Sequence, residues 1–316
     1  MKTTKNNKFH TIMEAFDKRL EDLFAICNGR TVVLWGYGYS GHCLEGAFRR
    51  RGKQIEVRMD VGGNVQGVWR PAMLSRLDPQ RHIILLTFPP DDDLVRKLES
   101  AGFRCGESYV PVISFFYGPG EARPFSSFDW MEYQASIDIR KSEMGADCEK
   151  VDSNNAYGKG PDYALLKVLD NFAFRPTDCI FDYGCGKGAA FVQFERIGVS
   201  WGGIEYDQGL YETCIRNLKT LGLPTETVVH GDASTFDGID DYDYFYCYNS
   251  FIGETFSRTI AQMEASWKRR PRRMTFIYSN PFCHDRVIEH DLFHLTKMIP
   301  AGFYIPEVYV YQIEEK

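Results

Sequence analysis

The chain has 316 residues, of which 44% are hydrophobic and 25% are charged, the balance of a soluble globular protein long enough for two domains. Its formal net charge of −6 argues against a broad nucleic-acid-binding surface, which needs clustered Lys and Arg. No segment has the apolar length of a signal peptide or a membrane span, and the nine cysteines form no C-x-x-C pair. We therefore expect a cytoplasmic protein with free thiols and no membrane contact.

The first part of the chain predicts a small α/β domain over residues 1–125. Apolar residues at steps of three and four predict a helix at the start, and short apolar runs predict strands after it. In chain order the pattern predicts helix, strand, helix, strand, strand and helix, at 8–28, 31–35, from the glycine cluster GYGYSG to 51, 55–60, 82–88 and 91–102. This alternation is typical of a parallel sheet of Rossmann-like type.

Residues 126–155 differ in composition and are predicted to be the linker between two domains. Pro, Gly and polar residues punctuate the region from 117 to 160, although the stretch FDWMEYQ could form one helix.

From residue 156 to 316 the alternation of strands and helices is regular. Helices are predicted at 162–172, 189–197, 209–221, 254–269 and 284–291. Strands are predicted at 178–183, 200–206, 225–230, 243–249 and 273–280, followed by a closing hairpin over 293–299 and 306–313. The fold class is therefore α/β, with two Rossmann-like domains, the second containing a seven-stranded sheet.

The stretch FDYGCGKG, residues 181–188, follows the first strand of this second domain. A phosphate loop would read G-x-x-x-x-G-K-S/T, but here the glycines are closer together and Ala189 replaces the hydroxyl residue. The pattern is instead D-x-G-x-G-x-G, and acidic residues follow the next two strands in GGIEYD and HGDAS. Ligands bind at this edge of a parallel sheet, and a carboxylate there can accept both ribose hydroxyls.

Over about residues 150–316 the chain resembles the class I S-adenosylmethionine-dependent methyltransferases. The resemblance implies that the glycine turn wraps the methionine end of the cofactor, that Glu205 holds the ribose and that Asp232 lies near the adenine amino group. It assigns cofactor binding to the following residues: Asp182, Gly184, Cys185, Gly186, Gly188, Glu205, Tyr206, Asp232, Ala233 and Asn249. Tyr206 could pack on the adenine, and Asn249 would lie beside the methyl group.

Asn249 and Tyr157 are the predicted catalytic residues. Asn249 begins Asn-Ser-Phe and lacks the prolines of the N/D-P-P-Y/F motif with which related families methylate planar nitrogens. Tyr157 and Lys159 lie where the family often closes over its cofactor. Asn280-Pro281-Phe282 reads better as a turn that ends a strand.

The acceptor is left open by the sequence. A small molecule, either a sugar or a nucleotide-sugar, is the first hypothesis, a protein side chain is the second, and transfer of the aminopropyl arm is a third. A binding protein with a catalytically retired methyltransferase-like domain is the alternative from another class.

GYGYSG matches G-x-G-x-x-G through Gly36, Gly38 and Gly41, and Asp60 ends the next strand. The segment resembles small Rossmann-like domains of sugar-modifying enzymes. It would bind a nucleotide or dinucleotide as a second site, or serve only as a docking platform.

No metal site is predicted. His284, His290 and His294 match no metal signature and are expected on an exposed polar helix. KRRPRR at 268–273 is interpreted as a solvated helix end rather than an anion-binding patch. The sequence does not decide between a monomer and a homodimer.

Overall fold

The computed structural model describes residues 7–27, 29–62, 67–143, 146–147, 154–158, 160, 162–302 and 307–314. The chain divides into two compact units, one formed by Thr4–Ser136 and the other chiefly by Ile137–Lys316. We call them the N-terminal unit and the C-terminal unit and describe each by itself.

The N-terminal unit contains a five-stranded parallel sheet in the order β3-β2-β1-β4-β5. The strands are β1 (Thr31–Trp35), β2 (Val57–Met59), β3 (Val68–Trp69), β4 (His82–Leu86) and β5 (Tyr109–Pro111). The helices are α1 (Lys8–Cys27), α2 (Tyr39–Arg50), α3 (Asp92–Ser100), α4 (Val112–Tyr117) and α5 (Ser127–Ala135), with a 3-10 helix at Pro71–Arg76. Strand β1 is central because its run of apolar side chains is buried.

The sequence prediction omitted β3, β5, α4 and the 3-10 helix of this unit. β3 and β5 have two and three residues, so neither carries a detectable two-residue period. Their pairing with β2 and β4 is decided by tertiary packing.

Helix α5 lies inside the segment that the sequence predicts as a linker. Ser126 caps it, its hydroxyl accepting the backbone N–H of Asp129 at 3.0 Å. Trp130 of α5 donates its indole N–H to the carbonyl of Ile12 at 3.0 Å and packs near the Phe16 ring. The helix is therefore part of the hydrophobic core beneath α1.

The C-terminal unit contains a seven-stranded sheet in the order β11-β12-β10-β9-β6-β7-β8. Its strands are β6 (Cys179–Tyr183), β7 (Ser200–Glu205), β8 (Val228–His230), β9 (Tyr244–Tyr248), β10 (Met274–Ser279), β11 (Phe293–Pro300) and β12 (Glu307–Ile313). Its helices are α6 (Asp162–Leu169), α7 (Ala189–Ile197), α8 (Gln208–Leu221), α9 (Gly253–Arg269) and α10 (His284–Ile288). β12 runs antiparallel to both β10 and β11, and the other pairings are parallel.

This mixed seven-stranded sheet is consistent with the methyltransferase-like fold that the sequence predicts. The predicted hairpin is present as β11 and β12, paired from Phe293↔Ile313 to Pro300↔Glu307. Part of its connection, at 303–306, lies outside the described residues. β6 is flanked by β7, which follows it, and by β9, so the strand order reverses between β6 and β9. Ligands of open α/β sheets bind at such a reversal, outside the carboxyl ends of the strands.

Candidate active site

A cavity of about 390 Å³ lies at the carboxyl ends of the parallel strands of the C-terminal unit. This volume is within the range of small-molecule sites, about 300–1,000 Å³. The structure brings most of the residues predicted for the site together as its lining: Tyr157, Asp182, Gly184, Cys185, Gly186, Glu205, Tyr206, Asp232, Ala233 and Asn249. Gly188 is not part of the lining and is instead the N-cap of α7.

The three glycines of the loop are required by close packing. Gly184 and Gly186 both have positive φ, and a Cβ on Gly184 would lie 2.4 Å from Cβ of Ser250. A Cβ on Gly186 would lie 2.2 Å from the ring of Tyr157. Gly188 is left-handed at the N-cap of α7, and a Cβ there would approach Sγ of Cys214 at 3.0 Å.

Glu205, at the end of β7, braces this loop. Its side chain is 5% exposed, and its two oxygens accept the backbone N–H groups of Gly186 at 2.7 Å and Asp207 at 2.9 Å. Burial raises the pKa of the Glu205 carboxyl, although the two backbone hydrogen bonds act against the rise. The carboxylate therefore lines the cavity and also fixes the position of the glycine loop.

Asp182, near the end of β6, is a second buried carboxyl group in the cavity wall. It is 3% exposed, and burial, assisted by the charge of Glu205, raises its pKa well above the usual value. No Lys, Arg or His is among the described residues that line the cavity. A pair of buried carboxyl groups with no basic residue in the described lining favours a ligand that brings positive charge.

Asp232, Ala233 and Tyr206 form the part of the wall near β8. The side chain of Asp232 accepts the backbone N–H of Ser234 at 2.8 Å, and Ala233 is buried. Tyr206 is 38% exposed and borders the cavity, so its ring is accessible for contact with a flat group.

Asn249 and Asn280 follow two neighbouring strands, and both have left-handed backbones, with φ of 46° and 52°. Because Tyr248 of β9 pairs with Ser279 of β10, the two asparagines are adjacent in register. Both line the cavity. Asparagine tolerates this conformation better than most residues, and such strain often accompanies functional sites.

The amide of Asn249 has a defined neighbour. Tyr278 places its hydroxyl 3.5 Å from Oδ1 of Asn249 and accepts the backbone N–H of Cys283 at 3.2 Å. The sequence interpretation missed Asn280 and treated it as part of a turn. The signal that could have found it is its position directly after β10, beside Asn249.

Tyr157 covers the glycine loop. Its ring packs on Gly186, and its hydroxyl donates to the carbonyl of Ile139 at 2.8 Å. Lys159, which the sequence paired with Tyr157, lies outside the described residues.

The chain has distant matches among solved structures. No family model matches the chain, and no curated protein matches it significantly. Among solved structures it is similar to an RNA methyltransferase from Salinibacter ruber in complex with S-adenosyl-L-homocysteine, with 18% identity, 48% of this chain and 89% of that chain covered, and a TM-score of 0.35.

Two further solved structures show similarity of the same size. The mitomycin 7-O-methyltransferase MmcR has 15% identity, with 48% of this chain and 53% of that chain covered and a TM-score of 0.37. A TehB-like SAM-dependent methyltransferase from Corynebacterium glutamicum has 17% identity, with 48% and 88% covered and a TM-score of 0.37. The chain thus spans only about half the length of the mitomycin enzyme, and similarities this distant do not identify its activity.

The glycine loop of the N-terminal unit is packed on its own backbone. A Cβ on Gly41 would lie 2.2 Å from the carbonyl oxygen of Gly36. Asp60 accepts the backbone N–H of Tyr37 and, at 2.8 Å, that of Gly62. The residues predicted as a second nucleotide site, Gly36, Gly38, Gly41 and Asp60, therefore lie together, and Asp60 holds the loop through hydrogen bonds.

The three histidines are separated. His284 contacts the hydroxyl of Tyr311 at 2.7 Å, His290 contacts Glu264 at 2.7 Å, and His294 belongs to β11. The predicted helix over 284–291 ends earlier, at Ile288, so His290 lies beyond it, and His294 lies in the strand that the sequence predicts at 293–299 and not on a polar helix. Among the described residues no group of three or more His, Cys, Asp or Glu could hold a metal ion.

The basic run at 268–273 is engaged within the unit. Arg269 pairs with Asp240 at 2.7 Å, Arg270 pairs with Asp241, and Lys268 pairs with Glu264 at 2.5 Å. In the part of the chain that the structure describes, no helix has the length and apolarity needed to cross a membrane.

Proposed function

We propose that the C-terminal unit is an S-adenosylmethionine-dependent methyltransferase acting on a small-molecule acceptor. The observation that carries the proposal is the pair of buried carboxyl groups, Asp182 and Glu205, beside a glycine loop at the carboxyl edge of the sheet. S-adenosylmethionine carries a sulfonium, an ammonium and a ribose diol. A cavity with buried carboxylates and no described basic residue suits these groups and disfavours a polyphosphate.

In this proposal the roles follow the position of each residue in the cavity. Glu205 accepts the ribose hydroxyls, Asp232 and Ala233 border the adenine, and Tyr206 packs on it. The backbone of Gly184, Cys185 and Gly186 borders the methionine end, with Asp182 behind them, while Ser250 and Tyr157 occupy the sides of Gly184 and Gly186 that lack a Cβ.

The cofactor supplies an activated methyl group, so the chain needs only to position the acceptor and exclude water. Asn249 is proposed to orient the acceptor through its amide, with Asn280 beside it. Tyr157 covers the loop, and its hydroxyl is directed to Ile139.

Calorimetric titration with S-adenosylmethionine tests the proposal. We expect saturable binding by the wild type and at least about tenfold weaker binding by Asp182→Asn, since charged hydrogen bonds contribute about 1.5–3 kcal/mol. Asp237→Asn, altered on the loop before β9 and absent from the described cavity lining, is the matched control. Absence of binding by the wild type at millimolar cofactor would refute the proposal.

We propose further that the two units are the two domains of the chain, with their boundary at Ser136 within the segment 126–155. The N-terminal unit is proposed to select the acceptor, a sugar or a nucleotide-sugar, or to bind a nucleotide at Gly36–Asp60. The alternative is a nucleotide-binding protein whose C-terminal unit no longer catalyses transfer. Mass spectrometry of ligands retained by the purified protein separates the two: retained adenosyl cofactor supports transfer, and a retained nucleotide alone supports the alternative.

A further inference from the structure

Lys187 is a buried cation within the glycine loop, and no sequence motif assigns it a role. Its side chain is 0% exposed, and it is not among the residues that line the cavity. A buried ammonium group is unfavourable unless it is paired and hydrogen-bonded. Its partners therefore show what holds it in place.

All the described ionic partners of Lys187 come from one segment. Nζ lies 2.8 Å from the carboxylate of Asp138 and 2.5 Å from that of Glu143, and it donates to the carbonyl of Lys141 at 3.1 Å. It also lies 5.4 Å from the centre of the Tyr157 ring. We call the described residues 137–143 and 154–158 the strap.

The two parts of the strap are joined to each other over the loop. Glu143 and Tyr157 exchange backbone hydrogen bonds at 3.3 and 2.8 Å. The ring of Tyr157 rests on Gly186, and its hydroxyl reaches back to Ile139. Five strap residues, 154–158, line the cavity.

A second set of contacts fixes the strap to the sheet. Asn155 donates its backbone N–H to the carbonyl of Ser250 at 3.0 Å and its amide to the carbonyl of Asn249 at 2.5 Å. Asn217 of α8 exchanges hydrogen bonds with the backbone of Asp138 and donates to the carbonyl of Lys187 at 3.0 Å.

The carboxylates that pair with Lys187 are themselves partly exposed, 49% for Asp138 and 35% for Glu143. Water can hydrate these two carboxylates when the strap opens. Of the three charged side chains, only that of Lys187 is fully buried. The ion pairs therefore exist only while the strap lies on the loop.

Resting on the proposed function, we infer that Lys187 latches the strap over the glycine loop and so controls how fast the cofactor leaves. It is a positioning residue, because it touches the strap and not the cavity. Closure puts Tyr157 against Gly186 and makes the strap one wall of the cofactor cavity. Breaking the latch speeds cofactor dissociation, because the strap is then open for a larger fraction of the time and the cofactor leaves from the open state.

The test compares Lys187→Met and Glu143→Gln with wild type and with Lys219→Met, which alters an exposed lysine of α8. Labelled S-adenosylmethionine is bound and chased with unlabelled S-adenosylhomocysteine. We expect dissociation about tenfold faster for Lys187→Met, a smaller increase for Glu143→Gln and no change for Lys219→Met. Equal dissociation rates in folded Lys187→Met and wild type overturn the inference.

A second measurement does not depend on the cofactor. The side chains of Arg140 and Lys141 are exposed, but the carbonyl of Lys141 and the backbone of Glu143 are hydrogen-bonded while the strap lies on the loop. Trypsin needs an extended backbone free of such bonds, so it should cut after these residues faster once the strap leaves the loop. Both latch variants should be cut there several-fold faster than wild type, and unchanged cleavage overturns the latch. If wild type binds no cofactor, the proposed function fails, and the cleavage rates still decide the latch. Should Lys187→Met not fold, the cleavage rate of Glu143→Gln, altered at a partly exposed carboxylate, decides whether the latch exists.

Discussion

Glu205 should support both the loop and the cofactor, and Glu205→Gln separates the two roles. The carboxylate accepts two buried N–H groups, from Gly186 at 2.7 Å and from Asp207 at 2.9 Å. Glutamine keeps one oxygen but turns an NH₂ donor toward the other N–H. A buried donor left without a partner costs about 1–3 kcal/mol, and the neutral side chain recovers part of this because it removes a buried charge beside Asp182.

We therefore expect Glu205→Gln to lower the free energy of unfolding by about 1–2 kcal/mol at neutral pH, measured by urea denaturation without cofactor. Glu212→Gln is the matched control, because Glu212 is exposed on α8 and its carboxylate accepts the side-chain amide of Gln208 at 2.6 Å. It should change stability by less than about 0.5 kcal/mol. Unchanged stability of Glu205→Gln would refute the bracing role.

Calorimetry on the same variants tests the second role. S-adenosylmethionine should bind Glu205→Gln about tenfold more weakly, because charged hydrogen bonds to the ribose are lost. A variant that loses stability but retains full affinity would show that Glu205 holds only the loop and that the ribose is bound elsewhere.

Three other changes, at Asp182, Gly186 and Asp60, have defined expected outcomes. Burial and Glu205 raise the pKa of Asp182, so its contribution to stability is greatest below its ordinary pKa and is lost as the pH rises through the raised value. Binding of the cationic cofactor favours the ionised carboxylate, so the affinity for S-adenosylmethionine should increase with pH over the same window. Asp182→Asn should make the affinity measured by calorimetry independent of pH there. Gly186→Ala and Gly198→Ala share the cost of a left-handed backbone, but only the new Cβ at position 186 meets a ring, that of Tyr157 at 2.2 Å. Gly186→Ala should therefore lower the free energy of unfolding, measured by urea denaturation, by at least about 1 kcal/mol more than Gly198→Ala does. Equal losses would show that Tyr157 moves aside freely. Asp60→Ala should lower the free energy of unfolding of the N-terminal unit by about 1–2 kcal/mol, and with it the melting temperature, because the N–H groups of Tyr37 and Gly62 lose their acceptor. An unchanged melting temperature would mean that water replaces the carboxylate.

Most of the fold of the C-terminal unit could be predicted from the sequence. The strands β6, β9 and β10 are mainly apolar runs followed by glycine or asparagine, and together with the other strand segments they predict the count of seven and the position of FDYGCGKG after β6. Strand ends are also where parallel sheets bind ligands, so Asp182, Glu205, Asp232 and Asn249 could be grouped without coordinates. Periodicity did not reveal β3 and β5, which have too few residues to show one.

The contacts between distant segments were decided by the tertiary structure alone. Glu205 is identifiable from its place after β7, but its bonds to the loop depend on how β6 and β7 pair. The sequence assigns no role to Lys187 within the glycine loop, whereas folding buries it under Asp138 and Glu143, some 49 and 44 residues earlier in the chain. A local sequence pattern gives residue types and their spacing along the chain. The partner of a buried charge depends on how distant segments pack together, which the pattern does not contain.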